Sequence, residues 1–512
     1  MSAADTPGAP AALLPVVVVG AGPTGVTVAT LLADHGVPVL VLDRWADVFP
    51  RPRAVHLDDE VYRILDMLGV AHEFAAISRP ARGLRLLDRD HRVLMEFDRS
   101  GNSPDNGHPR ANMFDQPDLE RLLRANAARR ERVTFRGDVD VNSLTDHGTH
   151  LDVRGVDRGT GAELVWRAAY VLGCDGANST VRTSIGSAYQ DLGFEQRWLV
   201  VDVETKTELR LWEGVHQVCG AERAATYMRV GDTRHRWEFQ LLDHEQPGDF
   251  GTVGDLAPLL RPWIASIPQD ELRLLRVADY TFRAAIADRW RRGHVFLLGD
   301  AAHLTPPFVG QGMGAGLRDA ANLGWKLAGV IGGSLPESVL DTYEAEREPH
   351  ARAMIQLARA TGIVMTAGGR PGDLIRRLAA PLLARIPRLP SRLVDGATPP
   401  LRRPDDGGPP RRDRLAGRLV PNAVIDGVAL DSAARRSWLL VSRDPVAPRE
   451  RQLLENHGCL VVHAREGRLA DWLHSGRSRA ALVRPDRTVH LAHPRTSVVT
   501  AAGLGVVVHG ML

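Results

Sequence analysis

Apolar and polar positions along the chain follow two distinct periods. Residues 16–19 are an unbroken run of valines, the pattern of a parallel strand buried on both faces. A helix is predicted from about Pro23 to His35, closed by Gly36, and a second strand over 37–42 ends at Asp43. Residues 170–173 and 294–298 are further apolar strands, and a helix is predicted over 315–330. Between Leu192 and Phe282 the pattern changes to short alternating runs, as in 198–203 and 236–242. That period of two predicts antiparallel strands with one buried face. Beyond residue 414, strands are expected at 437–441, 459–462 and 480–484, with a helix at 448–457 between the first two. The whole reads as an α/β chain: a Rossmann-like parallel-sheet domain interleaved with an antiparallel β-sheet domain, and a separate C-terminal unit.

Three strand ends carry the chemistry. Gly20-Ala21-Gly22-Pro23-Thr24-Gly25 has the G-x-G-x-x-G spacing. Gly20 permits the tight turn, Gly22 lets a pyrophosphate approach the backbone, and Gly25 lets the helix pack on the strand. Pro23 and Thr24 open a helix whose N-terminal dipole favours phosphate. Asp43, followed by Arg44, stands close to the roughly 20-residue spacing of an acid that takes a ribose hydroxyl. Cys174-Asp175-Gly176 and Gly299-Asp300 end the other two strands. Ligands of open α/β sheets sit beyond such carboxyl ends, so Asp300 is placed to accept from a sugar or ribityl hydroxyl. Gly310-Gln311-Gly312-Met313-Gly314 precedes a helix and offers backbone N–H groups to an electron-rich partner. Each piece alone also fits an ordinary turn. Their order on one chain fits FAD better than NAD.

These residues, with Arg51-Pro52-Arg53-Ala54, Gln116-Pro117-Asp118-Leu119-Glu120, Arg236-Trp237-Glu238-Phe239 and Arg318-Asp319-Ala320-Ala321-Asn322, carry a resemblance. The chain resembles the class A flavoprotein monooxygenases, the aromatic hydroxylases, and most of all their 3-(3-hydroxyphenyl)propionate hydroxylase branch. The resemblance spans roughly the first 370 residues. It implies that FAD, reduced by NADH or NADPH, reacts with O2 to a flavin C4a-hydroperoxide that delivers one oxygen atom to a phenolic ring. It puts Asp300 on the ribityl chain, and Pro306, Pro307, Gly310, Gly312 and Gly314 along the flavin ring. Arg53 and Gln116 would help hold FAD. Asp175, Gly176 and Arg182 form a second fingerprint serving FAD and NAD(P)H.

Pocket walls are harder to read. Trp198, Val201, Gln217, Tyr227, Trp237 and Phe239 are candidates, and each also fits plain core. His303 fits either a base or a merely hydrogen-bonded histidine. No acid–base dyad or metal cluster emerges. The expected layout is a disordered leader over 1–11; an FAD domain over 12–75, 108–185 and 284–370; a substrate sheet over 76–107 and 186–283; a helical segment and linker over 371–414; and a C-terminal unit over 415–512. That unit resembles the thioredoxin-like domain of many family members but lacks paired cysteines, which leaves packing or a homodimer contact as its work.

Composition narrows the rest. With 25% charged and 44% hydrophobic residues the chain is an ordinary globular protein, and its net charge of +2 suggests no nucleic-acid partner. Lys206 and Lys326 are the only lysines, so the arginine excess reads as coding bias. The cysteines Cys174, Cys219 and Cys459 form no metal or disulfide pattern. No signal peptide and no apolar run of roughly 18 residues is present, so a cytoplasmic enzyme without a membrane span is expected. A flavin halogenase would need a Trp-x-Trp-x-Ile-Pro signature, which is missing. The 299–314 region argues against a Rab-escort-type binding protein. A same-fold tailoring oxygenase (epoxidation, Baeyer–Villiger-type or polyketide hydroxylation) stays open.

Overall fold

The computed structural model describes residues 13–50, 54–220, 222–264, 267–366, 372, 398–402 and 414–508. The expected leader over 1–11, Arg53, and most of the segment expected at 371–414 lie outside the described residues.

The strand Leu13–Val19 sits inside the first sheet, parallel to Val39–Leu42 on one side and to Glu163–Gly173 on the other. Val133–Arg136 and Val295–Leu297 extend the parallel order outward. Val16, Val17 and Val18 have no exposed surface, as a strand covered on both faces requires. The helix Pro23–Asp34 packs against the helix Gly312–Ile331, which begins at Gly312 rather than the expected Ala315. The strands end level: Val19 lies opposite Gly173, and Gly173 opposite Leu297. Backbone bonds from Gly20 N to Leu42 O (2.7 Å), Cys174 N to Val19 O (2.8 Å) and Leu298 N to Gly173 O (2.9 Å) continue past the strand ends. The three predicted turns are thereby brought side by side on one edge.

The second sheet has the order His303–Leu304, Arg273–Ala287, Tyr189–Glu204, Arg234–Gln240, Ala225–Arg229, Val215–Val218, Gly83–Leu87, Val93–Asp98. It is not wholly antiparallel, as the alternation predicted. Val215–Val218 and Gly83–Leu87 run parallel, with Val215 opposite Leu84. These strands come from separate segments of the chain, so no hairpin fixes their direction. Nor are 192–282 all strand. The helix Val253–Ile264 interrupts them despite Pro258 and Pro262. Its buried Leu256, Leu260, Trp263 and Ile264 pack on the sheet's Leu199, Val201, Tyr227 and Trp237, and that burial outweighs the proline penalty.

Residues 414–508 build a four-stranded sheet in the order Cys459–His463, Trp438–Ser442, Ala480–Val483, Val489–His493. The first pair is parallel and the others antiparallel. The strand Val489–His493 and the helices Arg468–Ser475 and Thr496–Gly503 were not predicted. Each is too short to carry a clear period. Leu439 and Val441 point into one apolar core and Leu440 into another on the opposite face. Buried charge pairs tie this unit to the rest: Arg63 to Asp431 at 2.7 Å, and Arg484 to Glu346 at 2.7 Å. Glu346 also holds Lys326 at 2.9 Å.

Candidate active site

A cavity of about 1230 Å³ is lined by the carboxyl edge of the first sheet and one face of the second. Its lining includes Gly22, Pro23, Thr24, Gln116, Gly176, Arg182 and Asp300, and, from the second sheet, Val200, Gln217, Thr226, Met228, Arg236 and Glu238. Pro307, Gly310, Gly312 and Met313 line it as well.

The fingerprint glycines divide by what each spares. Gly20 holds φ +103°, and a Cβ there would press on Cys174 O at 2.3 Å. At Gly25 a Cβ would fall 1.9 Å from Gly20 O. Both glycines are needed by the chain itself. Gly22 is different: a Cβ there meets nothing within 4 Å, and the residue faces the cavity. Folding does not require glycine at 22; close approach of a ligand to the helix N-terminus does. The residues present therefore fit a pyrophosphate-bearing cofactor such as FAD.

Other predicted residues have more varied places. Gln116 accepts from Ala54 N at 2.5 Å and donates to Glu120 at 2.6 Å, which anchors the chain just after Arg53. Arg182 donates to Ala301 O (3.1 Å) and Ala177 O (2.9 Å) and lies over the Tyr189 ring, binding the second and third turns together. The Tyr189 hydroxyl donates to Asp300 O. Gly299 packs on Thr24, where a Cβ would meet Oγ1 at 2.9 Å.

Several side chains expected at the cofactor have protein partners. Asp175 accepts from Ser179 Oγ (2.5 Å) and Val181 N (3.1 Å), capping the helix Thr180–Ser184. Asp43 accepts from Ala21 N (2.6 Å) and Trp45 N (2.8 Å), bracing the fingerprint turn from behind, and Arg44 lies exposed beside Asp140. Gln311 turns away to Asp58 (2.7 Å) and Arg318 (3.0 Å). Gly314 packs against Val61, and Pro306 precedes the lining turn Pro307–Val309 without lining the cavity itself. His303 is fully buried on Asp319 at 2.8 Å, outside the cavity wall.

Of the six candidate wall residues, only Gln217 lines the cavity. Val201, Tyr227, Trp237 and Phe239 face the opposite core. Trp198 stands behind the wall, stacked on Phe282 and edge-on to Phe308. The two faces differ by one residue of register. Val201 pairs with Trp237, and Val200 with Glu238, so neighbouring pairs point to opposite faces. Hydrophobicity picked out the core face, whereas the cavity face carries the neighbours Val200, Thr226, Arg236 and Glu238.

That face is charged. Arg236 is buried and grips Asp202 through two contacts at 2.7 and 3.0 Å. Burial pushes the Glu238 carboxyl above its ordinary range, against the pull of Arg236. Gln217 donates to Phe308 O at 2.8 Å, which fixes its amide orientation and leaves Oε1 buried without a partner. His56 lines the cavity beside Gly310. Its pKa is pulled down to about 4 by burial, then by Arg99, against Asp58 and a backbone hydrogen bond with Gly310. His56 and Arg99 were missed from sequence; the only signal was His56's place just after the Pro52-Arg53-Ala54 segment.

Comparison with known proteins agrees with this geometry. The family model described as FAD binding domain matches residues 14–358. A "Probable NADH-specific resorcinol 4-hydroxylase" of Rhodococcus jostii (strain RHA1) is 38% identical over 71% of this chain and 68% of its own. A "3-(3-hydroxy-phenyl)propionate/3-hydroxycinnamic acid hydroxylase 2" of Burkholderia vietnamiensis (strain G4 / LMG 22486) is 31% identical over 96% of this chain and 95% of its own. Among solved structures, the OxyS anhydrotetracycline hydroxylase from Streptomyces rimosus superimposes with a TM-score of 0.77 at 26% identity, over 96% of this chain and 99% of that one. The chain belongs to the FAD-binding family of class A flavin-dependent aromatic hydroxylases. It is an FAD-dependent monooxygenase that draws electrons from a nicotinamide donor and uses O2 on an aromatic substrate. No helix among the described residues is long and apolar enough to cross a membrane.

Proposed function

We propose that this enzyme hydroxylates a small phenol, of the resorcinol or hydroxyphenyl-acid kind, with NADH as donor. The observation that carries this reading is Gln217. Its Oε1 is a buried acceptor without a partner in the cavity wall, and a substrate hydroxyl would satisfy it. The curated relatives named for such phenols support it. Arg99, Arg236 and Arg283 in the same wall suit an electron-rich or anionic ring. A polycyclic substrate, as in OxyS, is the second reading, favoured by the shared fold.

Bound FAD would supply the redox chemistry that activates O2. The protein's own residues bind, orient and enclose. Gly22, Pro23 and Thr24 would cradle the pyrophosphate, Gln116, Arg182 and Asp300 the sugar and ribityl chain, and Pro307, Gly310, Gly312 and Met313 the ring. Gly20, Gly25, Gly176 and Gly299 shape the turns, while Asp43, Asp175 and Gln311 brace them. The cavity wall of Val200, Thr226 and Met228 would exclude water from the reacting ring.

The domain division follows from the same reading: FAD domain over 12–75, 108–185 and 284–370, substrate sheet over 76–107 and 186–283, and C-terminal unit over 415–512. The C-terminal strand order, with its parallel first pair and antiparallel second half, supports a thioredoxin-like unit whose work is packing, in a homodimer or alone. We place the enzyme in the cytoplasm.

The test is NADH oxidation by the FAD-loaded protein across a panel of simple phenols, phenolic acids and polycyclic phenols, with 18O2 incorporation followed by mass spectrometry. Faster NADH use and labelled product with a small phenol is expected. Labelled product from polycyclic phenols alone would overturn the substrate reading and leave the family intact.

A further inference from the structure

We propose that His147, His150 and Asp152 bind a divalent transition-metal ion of the zinc class, on a hairpin outside the cavity. The proposal stands independently of the phenol reading.

The hairpin joins the antiparallel strands Val139–Asp146 and Leu151–Asp157. Its turn is closed by His147 N donating to His150 O at 2.9 Å and by Gly148 N donating to the Asp146 carboxylate at 2.8 Å. Gly148 holds φ +78°, the left-handed conformation that favours glycine. The reversal gathers His147, His150 and Asp152 into one cluster. None of the three lines the cavity.

The spacing of the donor atoms suits an ion. His147 Nε2 lies 3.2 Å from Asp152 Oδ2, and His150 Nε2 lies 3.4 Å from Asp152 Oδ1. One ligand atom from each residue falls within 4.8 Å of the others. Zinc held at about 2.0–2.1 Å spaces tetrahedral ligands by roughly 3.3 Å. Both histidine–aspartate separations are of that size. The imidazoles stack at 4.8 Å between ring centroids, and a small swing of the exposed His147 ring would bring both nitrogens onto one ion.

Asp152 supplies a second, independent observation. Its side chain is nine-tenths buried, and Oδ1 makes no hydrogen bond. A buried carboxylate oxygen without a donor needs a partner. The cations nearest it besides the histidines are Arg154, which reaches Oδ2 only at 3.5 Å, and Arg167, 3.8 Å from Oδ1. Both arginine side chains are half exposed and can yield into water. Their charge competes with an ion, which sets the affinity in the micromolar range rather than tighter.

The donor set selects the class of ion. Two imidazoles and a carboxylate suit zinc, nickel or copper, whereas calcium and magnesium take oxygen ligands throughout. Thr149 Oγ1 lies 3.1 Å from His150 Nδ1. A ring donating from Nδ1 to that hydroxyl presents a bare Nε2 to the metal. Three protein ligands leave the fourth position to water. The ion would clip the turn to the strand beyond it, a structural role.

The experiment titrates FAD-loaded wild type, freed of metal by chelation, with Zn2+ in a calorimeter, using Mg2+ as control. Saturable binding of one zinc per chain, no magnesium binding, and a melting temperature raised by zinc are expected. His147→Ala and Asp152→Asn should each remove that binding while circular dichroism and FAD content stay as in wild type. Thr149→Val should weaken it on the order of 10-fold, and Arg154→Gln should tighten it. Absence of saturable zinc binding by the wild type would overturn the proposal. So would binding that survives His147→Ala and Asp152→Asn, which would place the ion elsewhere. If Asp152→Asn fails to fold, His147→Ala, at an exposed position, decides the matter alone.

Discussion

Arg63 and Asp431, 368 residues apart in sequence, meet as a buried two-point ion pair, Nε to Oδ2 at 2.7 Å and Nη2 to Oδ1 at 2.8 Å. Arg487 of the C-terminal unit shares the carboxylate at 2.9 Å. Removing Asp431 would strand two buried guanidinium groups. Asp431→Ala is therefore expected to cost about 3–5 kcal/mol, read from chemical denaturation, with the C-terminal unit released first.

The same carboxylate gives that attachment a pH dependence. Burial alone would raise the Asp431 pKa, but Arg63 and Arg487 outweigh it and hold the group below its ordinary range. A depressed carboxylate contributes its stability above the unfolded value of about 4 and loses it as pH falls through the lower folded value. Limited proteolysis should show the C-terminal unit secure from neutrality down to about pH 4, with cleavage rising at lower pH. Loss beginning near pH 6 would point to another group.

Gly22→Val tests the cradle apart from the fold. The open space over Gly22 predicts that the variant folds with a melting temperature near that of FAD-free wild type. Its new side chain would occupy the pyrophosphate path, so the purified protein should be colourless and fail to take up FAD. Stoichiometric flavin at wild-type affinity would remove Gly22 from the site.

Asp300→Ala removes a carboxylate from the cavity end of the third turn while leaving the Tyr189 contact, which uses the Asp300 backbone. FAD affinity should fall by an amount equivalent to about 1.5–3 kcal/mol, measured by flavin fluorescence titration. Unchanged affinity would move the ribityl contact elsewhere.

The register of the second sheet makes neighbouring residues separable. Val201→Ala, on the core face, should lower stability by on the order of 2 kcal/mol and leave KM unchanged. Met228→Ala, on the cavity face, should change KM for the phenol more than stability. The reverse pattern would contradict the assignment of faces.

What could be read from sequence was local. Residues 16–43 announce a strand, turn, helix and strand because each depends on spacing within a short window. The substrate wall was misread because apolar bulk marks core, while a wall for a phenol mixes Thr226, Arg236 and Glu238 with Val200. The parallel junction at Val215 and Leu84 joins distant segments, so no local pattern reports it. Pro258 and Pro262 concealed a helix that exists through burial alone. Asp175 and Gln311 belong to recognisable motifs, yet a motif names a residue without showing which way its side chain turns. His56 had no spacing to mark it and emerged only once Gly310, far along the chain, lay against it.

The level strand ends at Val19, Gly173 and Leu297 bear on how the enzyme is made. The glycine fingerprint is translated long before the strand Val295–Leu297 and Asp300, which build the third turn. Synthesis runs from the N-terminus, so early segments wait for partners that are still to be translated. An N-terminal fragment that keeps the fingerprint but stops short of Val295–Leu297 has no completed edge to offer. A cofactor held by all three turns would therefore bind only once Val295–Leu297 has joined the sheet.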